Sequence, residues 1–198
     1  MLLLQHAGVH AHEGAGRPTL ADRVFGVTDE QMRVRPRPGL NSLVWLLWHM
    51  ARVEDVAVSL VVAARPQVHD ADWLRRMGTG LAHMGSGMTS DEVDALTAGA
   101  DVHAVRAYRA AVGQRTREVA RALAPAQWEE MLALADTTRA AHAGAFGPRD
   151  HWTDDGGHPP WQGRPRIAQL AASAIGHNAL HLGEALTIRS LAGFPLDL

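Results

Sequence analysis

The chain contains no cysteine. Disulfides, thiolate metal sites and a cysteine nucleophile are therefore all excluded. It contains no lysine either: all 19 basic residues are arginine. With abundant alanine and glycine, this reads as the codon bias of a GC-rich bacterial genome rather than as function. Charge of one sign is also missing. The formal net charge is −2 and the isoelectric point near 6.6, which gives no electrostatic reason to expect nucleic acid or an anionic membrane as a partner. The apolar start, Met-Leu-Leu-Leu, is too short for a secretory signal and lacks a basic flank. The longest apolar stretch, residues 43–64, is broken by His49, Arg52, Glu54 and Asp55. It reads as a buried helix and not as a membrane span. A cytoplasmic protein is expected.

What is present is helix. The chain has 198 residues, enough for one domain with a real core, and residues 1–198 are read as a single helical bundle domain. No strand pattern persists. Residues 2–13 are expected to be helical, then a second piece follows around Thr19–Val27. Thr28 and Gln31 form a capping-box pattern. Pro36 and Pro38 forbid helix before Asn41 or Ser42, one of which caps a long helix ending before Pro66. A short helix is expected around residues 70–77 and a glycine-rich loop over 78–88. A capped helix starts at Thr89. A third long helix spans 101–123, closed by Pro125. Residues 142–164, with five glycines and three prolines, read as loop. The last long helix runs from Arg164 to Leu191, stopped by Gly193 and Pro195. Three or four long helices with long irregular connections and short extra helices make an all-α, four-helix-bundle architecture.

Histidine is the surplus residue, with 12 in the chain. In the last helix Leu170, Ala174, His177, His181, Glu184 and Ile188 recur at spacings of four, three, four, three and four, an inward seam. His177 and His181 thus stand one turn apart, pointing the same way, at the spacing that lets two helical imidazoles hold one ion. In the second helix Trp45, His49, Val53, Val56 and Leu60 form a seam, and His49 occupies an apolar position. Three imidazoles from two facing helices form a candidate divalent-metal site with positions open to water or substrate. Hydrogen-bonded core histidines are the competing reading. Glu184 is open to three roles: ligand, partner orienting His181, or solvated carboxylate. The second is favoured. Tyr108, the only tyrosine, shares a seam with Val105 and Val112. It is kept with Glu184 as a candidate catalytic group, although core packing is the stronger reading. Arg189 reads as a surface charge and Trp45 and Trp48 as core. His6, His10 and His12 read as incidental, and His151 and His158 as loop residues facing solvent.

Two stretches resemble a known family. Leu40 to Asp55, L-N-S-L-V-W-L-L-W-H-M-A-R-V-E-D, is similar to the second-helix region of the DinB-like superfamily. G-H-N-A-L-H-L-G-E, residues 176–184, resembles its fourth-helix motif H-x-x-x-H-x-G-E. The resemblance covers most of the chain in order and spacing. It implies a four-helix bundle with a central divalent metal, commonly held by three histidines. Here these would be His49, His177 and His181. It also implies relatives among thiol-dependent S-transferases and a mycothiol-dependent maleylpyruvate isomerase. The expectation is therefore a metal-dependent enzyme of S-transferase or isomerase type, with zinc or nickel and a small-molecule substrate, including a low-molecular-weight thiol. A metal-dependent hydrolase and a non-enzymatic metal-binding domain are the alternatives, and a homodimer is left open. The loops over Met77–Met88 and 142–164 match nothing in the resemblance and would shape specificity.

Overall fold

The computed structural model describes residues 1–10, 18–147, 149 and 161–194. His12, His151 and His158 lie outside them. The helices are α1 (Leu2–Val9), α2 (Leu20–Phe25), α3 (Asp29–Met32), α4 (Leu43–Asp55), α5 (Ala71–Met77), α6 (Ser90–Gly99), α7 (Val102–Ala122), α8 (Pro125–Trp128), α9 (Leu134–His142), α10 (Arg166–Ala171) and α11 (His177–Leu191). Two π-helical segments interrupt this series. Val56–Val62 continues α4, and Ala172–Gly176 joins α10 to α11. No strand occurs among the described residues beyond an isolated bridge between Met131 and Pro165. No described helix is long and apolar enough to cross a membrane.

Local chemistry sets the helix starts. Thr28 accepts from the Gln31 amide while the Gln31 side chain accepts from the Thr28 amide, completing the capping box. Of the two candidates for the α4 cap, Ser42 does the work: its hydroxyl accepts from the Trp45 amide. Asp70, Thr89 and Asp101 cap α5, α6 and α7 in the same way. Pro125 does not merely close α7. It opens α8 from the first-turn position that tolerates its missing N–H.

Helix α4 is the axis. Every one of its residues is buried, because α3, α6, α7 and α11 all pack on it. A helix apolar on all sides can only be a central one. Its few polar residues must therefore find partners inside the protein, and each of them does so at a place where another element is fixed.

The π segments change the expected helical phase. A π turn inserts one residue into the α-helical count. Leu170 ahead of it and Ala174 within it are fully buried, as the seam requires. After it the buried residues are Asn178, Leu182, Ala185, Ile188 and Arg189: the line moves on by one, and only Ile188 of the later seam positions stays fully buried. His177, His181 and Glu184 consequently sit half-buried at the edge of the core and not in its middle. Arg189 is not a surface charge. It is 6% exposed and donates to the carbonyls of Arg23 and Val24 at 2.5 and 3.1 Å, satisfying the end of α2.

Candidate metal centre

His49 on α4 and His177 and His181 on α11 come together. One ring nitrogen from each lies within 4.8 Å of the others, and ring centroids are 4.5–5.0 Å apart. Two of the three rings are oriented by partners that only accept. His49 Nδ1 donates to the Met84 carbonyl at 2.6 Å. His181 Nδ1 donates to Glu184 Oε2 at 2.8 Å. Each bond fixes the proton on Nδ1 and leaves Nε2 as an acceptor; that of His181 accepts from His177 Nε2 at 3.1 Å. Trp45 stacks on His49 at 4.6 Å with an 18° interplanar angle and holds the ring from the other side. Glu184 is held in turn by the Asn41 side-chain amide at 2.9 Å. An Asn41–Glu184–His181 chain therefore spans the start of α4 and the middle of α11.

The separation of the donors suits an ion. His177 Nε2 and His181 Nε2 are 3.1 Å apart. Two nitrogens at about 2.0–2.1 Å from one ion stand roughly 2.9 Å apart at a right angle and roughly 3.3 Å apart at a tetrahedral one. The distance falls between them. His177 Nδ1 is buried and finds no protein partner among the described residues, so no hydrogen bond of that nitrogen competes for the ring's orientation.

Burial keeps His49 and His177 neutral. Burial pushes His49 down to about 4, with the Met84 carbonyl pulling the other way. His177 is lower still, first through burial and then through the neighbouring imidazoles. Neutral imidazoles are the form that binds metal. Glu184 is held below the ordinary carboxylate range, chiefly by its bond to His181. A stability consequence follows with a definite sign. Unfolded, His49 and His177 titrate at about 6.5, above their folded values. The unfolded chain therefore takes up protons first, and the stability contributed by these rings is complete above pH 6.5 and lost as pH falls toward 4. Metal-free protein should show a melting temperature that declines between pH 6.5 and 4.5, before Glu54 and Glu184, both lowered, begin to protonate. His69, brought to about 3 by burial, adds to the same slope. A melting temperature that is flat across that window would contradict the burial of neutral rings.

The structure does not bring Tyr108 to the three imidazoles. Its fully buried hydroxyl donates to Asp55 Oδ2 at 2.7 Å and accepts from Arg52 Nη1 at 2.9 Å. Burial raises its pKa well above the usual value.

Sequence reasoning missed the groups that orient the site. The carbonyl of Met84 comes from the glycine-rich loop. It is held there because Gly85 has φ +96° and a Cβ at Gly85 would lie 2.5 Å from the Trp48 ring. A run of glycines was the only signal for it. Asn41 was visible only as a competitor of Ser42 for the helix cap. The N-terminal histidines are the larger correction. His6 and His10 are fully buried, not incidental, and cluster with Glu54 of α4.

The comparisons agree with the fold. The model of the DinB superfamily matches residues 15–185. No curated protein gives a match. Among solved structures, the fold is similar to the crystal structure of a conserved protein from Enterococcus faecalis, with a TM-score of 0.63 and 18% sequence identity. That alignment covers 96% of this chain and 91% of the other. With the family model spanning most of the sequence, the chain belongs to the DinB superfamily.

Proposed function

We propose that the protein is a metal-dependent enzyme of the thiol S-transferase or isomerase type, acting on a small electrophile with a low-molecular-weight thiol as cosubstrate. The reading rests on one observation. Three imidazoles converge while the neighbouring carboxylate, Glu184, is turned to His181 Nδ1 and to Asn41. A site with three protein donors and a side open to solvent is the catalytic arrangement; structural sites are closed by a fourth donor. Solvent reaches it from the α11 side, where the His181 and Glu184 side chains are 15% and 32% exposed. A divalent ion there, zinc or nickel by the preference of imidazole donors, supplies Lewis acidity that lowers the pKa of a thiol or water entering the open position.

The chain's own residues have narrower tasks. His49, His177 and His181 hold the ion. Met84, Glu184 and Asn41 fix two of those rings. Trp45 covers His49. With no cysteine in the protein, the sulfur must come from a cosubstrate. The thiolate then forms a carbon–sulfur bond as the bond to the leaving group breaks, and the thiol proton passes to solvent. The second reading, hydrolysis with water as nucleophile, uses the same open position.

The test is turnover by zinc- or nickel-loaded protein with a thiol and a panel of electrophiles, alongside ester and amide substrates without thiol. Thiol consumption that needs the metal and disappears in His49→Ala supports the transferase reading. Metal-dependent hydrolysis without thiol replaces it with the hydrolase. Loaded protein that is inert in both assays favours a binding domain.

A further inference from the structure

The geometry points to a second metal site, closed and structural, formed by His6 and His10 of the N-terminal segment and Glu54 of α4. His6 on α1 and His10, the extended residue that ends it, face a carboxylate from a different helix. Two imidazoles and a carboxylate form a donor set that divalent zinc accepts. Ligand atoms of all three lie within 4.8 Å of one another, and all three residues are fully buried.

Three features show that the place is built for these groups. First, Gly113 lies in the middle of α7, where glycine weakens a helix. A Cβ there would come within 2.3 Å of the His10 ring. The helix gives up a side chain at the position the imidazole fills. Second, the Glu54 carboxylate is held by groups that leave it directed at the histidines. Thr116 donates to Oε1 at 2.6 Å, and Asn178 donates to Oε2 at 2.7 Å. Such partners are what orient a ligating carboxylate. Third, the histidines are not placed alike. His6 Nε2 is 2.8 Å from Oε1, a hydrogen bond. His10 Nε2 is 3.7 Å from Oε2. That is beyond a good hydrogen bond and near the roughly 3.3 Å separation of two donors that share one tetrahedral ion. The His6 Nδ1 atom is buried without a protein partner among the described residues.

Arg109 is the opposing term. Its buried guanidinium acts on Glu54 through its charge and donates to the Val9 carbonyl at 3.0 Å. A second cation must share the carboxylate with it, so this site should bind more weakly than the three-histidine centre. Complete burial gives it no opening for substrate. Its role would be to fasten α1 to α4.

Zinc stoichiometry after equilibration with excess zinc sulfate and removal of loose ions is the test. The intact chain should retain about two ions. His49→Ala combined with His177→Ala should retain about one, because the second site is untouched. Adding His6→Gln to that pair should remove the last. His6→Gln alone should retain about one ion. A chain that retains a single ion, lost entirely with His49→Ala and His177→Ala, overturns the proposal and leaves a hydrogen-bonded cluster. An ion that survives the triple change also overturns it, since it would be bound elsewhere. The double variant keeps the proposal open to failure even if His6→Gln does not fold. The two sites also fail separately: loss of the three-histidine ion alone leaves the second prediction standing.

Discussion

His181→Ala should abolish stoichiometric retention of a divalent ion at the three-histidine centre, while Glu184→Gln should weaken it only about 10- to 100-fold. The difference is geometric. His181 offers Nε2, 3.1 Å from that of His177, and deleting it leaves two donors and an empty corner. Glu184 touches the other side of the same ring. Glutamine at 184 keeps a carbonyl oxygen that can accept from His181 Nδ1, and loses the charge. The amide can also still meet Asn41. His49→Ala should behave like His181→Ala, since it removes a ligand from the other helix. Equilibrium competition with a chelator measures both effects. If Glu184→Gln loses the ion as completely as His181→Ala, the carboxylate is itself a ligand and the observed Glu184–His181 bond is not the metal-bound state. If His181→Ala keeps full affinity, the ligand set is wrong.

That experiment depends on residues of very different visibility in the sequence. The helices were legible because caps and periodicity are local. Thr28, Asp70, Thr89 and Asp101 each announce a helix start by their own chemistry. The three histidines were legible because two share a turn and the third occupies an apolar seam. The phase of α11 was not. A π turn has no compositional signature in Ala-Ser-Ala-Ile-Gly, and one extra residue moved the core line from His177 and His181 to Asn178 and Leu182. The same shift buried Arg189. Partners far apart in sequence were equally hidden. Nothing in the order of residues ties Met84 to His49, Asn41 to Glu184, or His6 to Glu54, because each pair meets only when the bundle closes. For His6 and His10 the error had a definite cause. A short terminal helix beside glycines looks exposed, and most of α1 is not buried; His6 and His10 alone are fully buried, turned to the space left by Gly113 and the donors around Glu54.

Asp55→Ala should cost on the order of 3–5 kcal/mol, the largest stability loss expected for one side chain here, because it strips the acceptor from a fully buried network. Asp55 Oδ1 takes bonds from Ser59 Oγ at 2.8 Å and the Val68 amide at 3.0 Å; Oδ2 takes them from Tyr108 at 2.7 Å and the His69 amide at 2.9 Å. Arg52 Nη1 lies 3.6 Å away, also fully buried, with this carboxylate as its counter-charge. Alanine leaves four donors and a buried guanidinium without it. At about 2–4 °C per kcal/mol for a chain of this size, the melting temperature should fall by roughly 6–20 °C. Tyr108→Phe removes one donor and leaves the carboxylate its other partners, so it should cost about 1 kcal/mol. The pair also decides what Tyr108 does. Arg52 Nη2 donates to the Ala82 carbonyl at 2.7 Å, two residues before the Met84 carbonyl that orients His49. Through Arg52 the network steadies the loop that serves the metal centre. If Tyr108 acts only there, Tyr108→Phe should keep ion affinity and, once folded, turnover. A phenylalanine variant of full stability and full metal content but no turnover would make the tyrosine catalytic. An Asp55→Ala variant within about 1 kcal/mol of the parent would show that the network is not what holds this side of the bundle.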